Sequence, residues 1–204
     1  MVGFKYTVGS RTKKVPSAKD YLKKPEISSI VSHGAGYINK EGNINGWLSE
    51  LAFAPVDYNK GAMVDEWSGD YGCGVKYFSQ DGVIKLAEAA GIELDPTWPP
   101  AKKLKYLQDL NDQGNEVVDA IFNDIGIYLG YTLAYYAHFY DIKHVLLLGR
   151  VVSGKGGNTL LNRARKVLYK EFPEMARTTL HMPDDKTRRV GQSIAAASLP
   201  IINK

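Results

Sequence analysis

The chain has 204 residues, 44% of them hydrophobic and 24% charged, with a formal net charge of +4 and one cysteine, Cys73. That balance belongs to a globular chain long enough to bury a substantial core, and a lone cysteine excludes both an internal disulfide and an all-cysteine zinc site. The longest stretch without a formal charge, Ile125–Tyr140, has 16 residues, fewer than the roughly 20 that a membrane span needs; no signal-peptide core precedes it, so a cytoplasmic protein without a membrane partner is expected.

Residues 1–24 carry seven Lys or Arg against one Asp, about +6, which leaves about −2 for the rest. Such an arm can meet nucleic acid or anionic lipid. This one has no aromatic interleaving and no helix-turn-helix pattern, and Pro16 and Pro25 interrupt any periodicity. Residues 1–26 are therefore expected to form a poorly ordered basic segment, with nucleic acid not its partner. A domain over 27–204 follows.

Ile27–Ser32 has the composition of a strand and runs into Ser32-His33-Gly34-Ala35-Gly36, a small-residue loop trimmed for close backbone approach. A hairpin is expected to turn at Lys40–Asn43. Glu50 then stands among Trp47, Leu48, Leu51 and Phe53. A carboxylate in apolar company is either turned to solvent or held by a polar partner, and the functional form of that partner is a ligand hydroxyl.

Residues 58–75 form a long excursion with three carboxylates (Asp65, Glu66, Asp70), glycines and aromatics, which suits a functional or lid-like loop. A metal there would rest on the carboxylates, because Cys73 and His33 lack zinc-site spacing. Ser79–Gly91 is expected to be a helix with Val83, Leu86, Ala87 and Ala90 as its apolar stripe and Gly91 as its stop. After a rigid Asp95–Pro100 linker comes a short amphipathic helix at 102–113. A long central helix over about 116–140 carries Val118, Ile121, Ile125, Tyr128 or Leu129, Thr132 and Tyr136 at three- and four-residue steps, and Gly126 and Gly130 allow another element to approach it closely.

Val145–Leu148 is wholly apolar, the pattern of a strand buried on both faces of a parallel sheet. Gly149, Gly154, Gly156 and Gly157 follow within nine residues, and a helix is expected from about Thr159. Strand, glycine loop and helix N-terminus together suit an anion. A Walker loop fits Gly149 to Lys155 until Gly156 stands where a magnesium-binding hydroxyl belongs. A dinucleotide fingerprint lacks its glycine order and its early position. A glycine-rich turn without a ligand, and the adenosine loop of actin-like sugar kinases, with Leu-Gly-Gly-x-x-Ser after a buried strand, complete the alternatives; Leu148-Gly149-Arg150-Val151-Val152-Ser153 resembles the last. A strand at Thr178–His181 and a small-residue helix from Lys186 through Ala197 close the chain.

Taken together, the two glycine loops, the Glu50 segment and the final small-residue helix resemble the C-terminal half of the ROK family, bacterial sugar kinases and sugar-sensing repressors with the actin-like ATPase fold. The resemblance implies an α/β lobe of ribonuclease H-like architecture, a mixed sheet flanked by helices, over residues 27–202. Ser32–Gly36 is similar to the family's phosphate-contacting turn, which makes Ser32, Gly34 and Gly36 nucleotide-binding, together with Gly149, Ser153, Gly154, Gly156 and Gly157. Ser49-Glu50-Leu51-Ala52-Phe53 is similar to the Gly-Glu-x-Gly-His element, with Phe53 where the His would be; the resemblance gives Glu50 the sugar hydroxyls. The family's Cys-x-Cys-Gly-x-x-Gly-Cys zinc loop is matched only at Cys73-Gly74, so no zinc is expected.

ATP with Mg2+ is the nucleotide that the resemblance implies. The family's Asp-x-Gly-Gly-Thr loop and general-base Asp belong to an N-terminal lobe that residues 1–26 do not supply. The expectation is thus half of a hexose kinase, without catalytic residues of its own and inactive alone. It would self-associate through an exposed inter-lobe face or pair with the missing lobe. The alternative is a non-enzymatic sugar- or nucleotide-sensing module acting with a partner chain.

Overall fold

A computed structural model describes residues 5–8, 11–14, 34–35 and 49–184. The chain divides into two compact units, Met1–Ile30 and Val31–Lys204. In the first, β1 (Lys5–Val8) and β2 (Arg11–Lys14) pair as an antiparallel hairpin with Val8 opposite Arg11. The basic segment expected to be a poorly ordered tail contains this hairpin. The strand expected at 27–32, the turn at 40–43 and the helix at 186–197 lie outside the described residues.

In the second unit, β3 (Gly34–Ala35) and β4 (Ser49–Glu50) form a short antiparallel pair. The excursion that follows is closed on itself. Bridges join Pro55 to Cys73 and Val64 to Tyr71, and Gly69 N–H donates to the Asp65 carbonyl at 2.8 Å. Gly72 sits at φ +69°, and a Cβ there would lie 1.9 Å from the Asp57 carbonyl oxygen, so only glycine closes this loop. Cys73, Ala52 and Val75 bury against each other beneath it.

A short helix α1 (Gly74–Tyr77) leads to α2 (Gln80–Ala89). Ser79 caps α2 by accepting from the Asp81 N–H at 3.2 Å, and Gly91, at φ +78°, ends it, the stop that its sequence predicts. Of the expected stripe, Val83 and Ala87 are buried, Leu86 is half-buried and Ala90 is exposed. Helix α3 (Pro100–Asp112) starts on a proline, whose missing N–H costs nothing at that position. Asn115 caps α4 (Glu116–Tyr136) by accepting from Val118 N–H at 3.1 Å. Val118, Ile121, Ile125, Leu129, Thr132 and Tyr136 are buried as the periodicity predicts; Tyr128, the alternative to Leu129, is exposed.

Helix α4 packs against α5 (Gly154–Glu171) at glycine contacts. A Cβ at Gly126 would meet the Leu160 carbonyl oxygen at 2.5 Å, and one at Gly130 would meet Val167 Cβ at 2.7 Å and the Ala164 carbonyl oxygen at 3.2 Å. Gly156 faces Phe122 in the same way. The pairs 122/156, 126/160 and 130/164 keep one sequence offset, so the two helices run parallel. Strand β5 (His144–Leu146) connects them and pairs in parallel with β6 (Thr179–His181). Phe122, Ile125, Leu104, Leu107, Leu168 and Leu180, each fully buried, form the centre of the α2–α5 core, and each such side chain contributes about 1.5–3 kcal/mol on leaving water.

Two expectations are corrected here. The strand after the long helix is not buried on both faces: Val145 and Leu147 lean on the core, but His144, Leu146 (58% exposed) and Leu148 face outward. The following helix begins at Gly154 and not near Thr159, so three of the four glycines belong to helix and not to loop. The observed class is α/β, with helices over a two-stranded parallel sheet and two further antiparallel pairs among the described residues. No helix among the described residues is long and apolar enough to cross a membrane.

Candidate functional site

The glycine segment builds a turn and a helix start. Gly149 follows β5 at φ +100°, with nothing within 4 Å of an added Cβ. Gln108, from α3, braces the turn by donating Nε2–H to the Arg150 carbonyl at 2.7 Å. Ser153 takes the N-cap position of α5 without making a side-chain cap bond. The α5 N-terminus is not left open for an anion, because Lys155 N–H donates to the Asp112 carboxylate at 3.2 Å. Gly156 and Gly157 are buried: a Cβ at Gly156 would meet the Phe122 ring at 2.6 Å, and one at Gly157 the Val152 carbonyl oxygen at 2.1 Å. Their lack of a side chain serves packing.

A polar knot holds this corner. Asp119, in the first turn of α4, accepts from Thr159 Oγ1–H at 3.0 Å and from Asn111 Nδ2–H at 3.2 Å, with Lys155 Nζ 3.6 Å away. Burial raises the Asp119 carboxyl, but these donors outweigh it and hold it below the usual carboxylate range. The knot ties the ends of α3 and the starts of α4 and α5 together.

Glu50 and Gly34 are register partners in the β3–β4 pair, with Ala35 opposite Ser49. Antiparallel partners have Cα atoms about 4.5–5.5 Å apart, so these two expected ligand contacts come together in the backbone. Ser32 and Gly36 lie outside the described residues. Just beyond β4, the Leu51 carbonyl accepts from Tyr136 OH at 3.2 Å, which fastens this segment to the C-terminal end of α4. The Gly149–Gly157 segment packs at the other end, against Phe122. Phe122 and Tyr136 stand roughly 20 Å apart along the helix, and the structure does not bring Glu50 and the second glycine segment into one contact shell.

A third location had no signal in the sequence. A cavity of about 180 Å³ is lined by Asp57, Met63, Tyr77, Lys85, Ile125 and Tyr128 among others. Tyr77 OH donates to Asp57 Oδ2 and accepts from Met63 N–H at 3.1 Å. Asn59 donates to Asp57 Oδ1 from its backbone N–H at 2.9 Å and from its side chain at 2.7 Å. Burial pushes the Asp57 carboxyl up, but the Tyr77 hydroxyl, the Asn59 donors and the Lys85 charge outweigh it and hold it low. Burial first, then the Asp57 carboxylate, pushes the Tyr77 phenol up to about 12. An ionised, fully engaged carboxylate and a locked phenol are poor proton carriers at neutral pH; they form a polar wall. Asp57 and Tyr77 are twenty residues apart in a loop and a short helix, so no motif spacing marks them.

Two consequences of this wall are measurable. Tyr77→Phe is expected to cost about 1–2 kcal/mol, because Asp57 Oδ2 and Met63 N–H both lose the hydroxyl they share, while Asn59 still serves Asp57 Oδ1. The phenol's stabilising share is fully present below about pH 10, where an unfolded tyrosine titrates, and is lost as pH rises toward 12. Urea midpoints should therefore fall across that window in the native chain and fall less steeply in Tyr77→Phe; parallel curves would rule out this assignment.

Within the excursion, Asp65 accepts from Ser68 N–H at 2.8 Å and Glu66 from Lys76 Nζ at 2.9 Å. Among the described residues no group of three or more His, Cys, Asp and Glu side chains is placed to hold a metal ion. Compared with known proteins, the chain is matched by no family model and by no curated protein.

Proposed function

We propose that this chain is the nucleotide- and sugar-binding lobe of a cytoplasmic, ROK-like hexose kinase with the actin-like ATPase fold, acting with a second lobe that brings the general base. The observation that carries the reading is the register of Gly34 opposite Glu50. The backbones of Gly34, in the turn expected to meet phosphate, and of Glu50, expected to hold a sugar hydroxyl, are one strand spacing apart, and phosphoryl transfer depends above all on positioning. The order of parallel helix, strand, glycine turn and helix adds support, since α/β folds bind ligands beyond the carboxyl ends of their strands, where Gly149 opens a turn at positive φ.

ATP with Mg2+ is the nucleotide this reading requires. At the α5 N-terminus its phosphates would meet the Asp112 carboxylate, which accepts the Lys155 N–H, and Gly156 and Gly157 lack side chains for packing against Phe122 and Val152; no phosphoryl-transfer step is assigned to Gly154, Gly156 or Gly157. Gly34 is left as the phosphate contact, and the Gly149–Ser153 turn, at the other end of α4, is not assigned to the same nucleotide.

That same filling of the α5 N-terminus favours a second reading, a sugar-sensing module without kinase activity that works with a partner chain. Calorimetric titration with glucose and with ATP–Mg2+ separates the two. The kinase-lobe reading expects heat from both, with Glu50→Gln abolishing the glucose signal and sparing the nucleotide signal. Glucose heat without nucleotide heat would select the sensing module. Folded protein that takes up neither ligand at millimolar concentration would overturn both.

A further inference from the structure

The outward face of the β5–β6 sheet carries two histidines that the functional reading does not use. The parallel register sets His144 opposite Thr179 and Leu146 opposite His181, so the two imidazoles are diagonal neighbours on one face. His144 Nδ1 lies 3.1 Å from His181 Nε2. The ring centres are 5.3 Å apart, the planes are inclined by 40°, and both residues are exposed.

We propose that His144 and His181 form a two-imidazole site for a divalent transition-metal ion such as Zn2+, Ni2+ or Cu2+. Two imidazoles bound to zinc at 2.0–2.1 Å and a tetrahedral angle have nitrogens about 3.3 Å apart and ring centres about 5.2 Å apart. The observed separations match that bite closely, and imidazole suits these ions. Without an ion, one facing nitrogen carries a proton and the other accepts it. Binding requires both facing nitrogens to offer lone pairs, so the ring that held the facing proton carries it on its outer nitrogen instead; water completes the coordination shell.

The strand backbones hold the pair in place. Thr179 N–H donates to the Lys143 carbonyl and Leu147 N–H to the His181 carbonyl, each at 2.8 Å. Arg165 Nη2 donates to the Leu180 carbonyl at 2.7 Å from the inner side. Side chains on fixed strands make more exact sites than side chains on loops. An ion here would clip β5 to β6, on the sheet's face and apart from the Gly149 turn.

The test uses the full chain without a histidine tag, titrated with Ni2+ and Zn2+ by calorimetry and with Cu2+ by electron paramagnetic resonance. One ion per chain is expected, with nitrogen hyperfine structure from Cu2+ and no response to Mg2+. His144→Ala and His181→Ala should each weaken binding by at least the roughly 10–100-fold that loss of a supporting partner costs, and His138→Ala should leave it unchanged. The melting midpoint should rise by roughly 5–10 °C at a hundred-fold excess of ion over the dissociation constant. His144→Asn serves if an alanine variant fails to fold. Folded protein without binding, or binding that survives both substitutions, would reduce the pair to a hydrogen bond between imidazoles and overturn the proposal.

Discussion

Gly157→Ala is expected to lower stability by about 2–3 kcal/mol, although alanine is the better helix former. Inside a helix the exchange gains about 1 kcal/mol in propensity. Against that, the new Cβ would lie 2.1 Å from the Val152 carbonyl oxygen and 2.5 Å from its carbonyl carbon. Backbone cannot turn aside as a flexible side chain can, so the turn before α5 must shift; overpacking costs typically about 1–3 kcal/mol and occasionally more, and a backbone clash this short belongs at the top of that range or beyond it. Sterics outweighs propensity. Gly61→Ala, with open space around its Cβ and no positive φ, is the control and should change stability by less than about 0.5 kcal/mol. Urea midpoints at unchanged slope would measure both. If Gly157→Ala left stability intact but removed nucleotide binding, the glycine would be open to a ligand and not packed against the chain.

That expectation differs from what the sequence suggests, and the reason is instructive. Four glycines in nine residues read as a loop, because glycine is the poorest helix former after proline. In the fold, the same residues allow α5 to lie against Phe122 and the Val152 carbonyl, and tertiary contact overrides propensity. Gly126 and Gly130 carried the same message more legibly. They stand inside an apolar stripe with a period of 3.6, where a missing side chain can only mean close approach. One helix boundary with a local cause was legible too, Gly91 as a stop; the caps at Ser79 and Asn115 came from the structure.

Tertiary facts were less accessible. Nothing local distinguishes a strand covered on both faces from one that turns His144, Leu146 and Leu148 outward, since that depends on how many neighbours the sheet has. The oddity of Glu50 was visible from its apolar company, and its backbone register with Gly34 needed the structure. The Asp57–Tyr77 contact and the His144–His181 pair join residues far apart in sequence. Each is an ordinary residue in an ordinary context until the fold closes.

Lys76→Met is expected to cost about 2–3 kcal/mol and to show where the ordered excursion draws its stability. The Lys76 side chain is only 9% exposed, yet its Nζ lies 2.9 Å from Glu66 Oε2 and 2.7 Å from Asp81 Oδ2. Burial pushes the ammonium's pKa down, but the two carboxylates outweigh it and raise it above the usual lysine value. Removing one member of a fully buried pair costs about 3–5 kcal/mol, because the other charge is left behind. Here Glu66 is 80% exposed and regains water freely, whereas Asp81, 21% exposed, does not, so the expected cost lies below that range.

The pH dependence has a definite sign. The Lys76 hydrogen bond holds the Glu66 carboxyl below its ordinary value. Its stabilising share is present above about pH 4.3 and is lost as pH falls through the folded value. The Lys76 share is present below about pH 10.4 and is lost as pH rises past it. The difference between native chain and Lys76→Met should therefore be greatest between these limits and narrow at both ends. Adding Asp81→Asn to Lys76→Met should recover part of the loss, because it removes a carboxylate that Lys76 no longer balances, less about 0.5 kcal/mol for an acidic residue taken from the first turn of α2. A difference that stayed constant from pH 3 to 11, or a double variant no more stable than the single one, would show that Lys76 acts by packing its aliphatic stem and not by its charge.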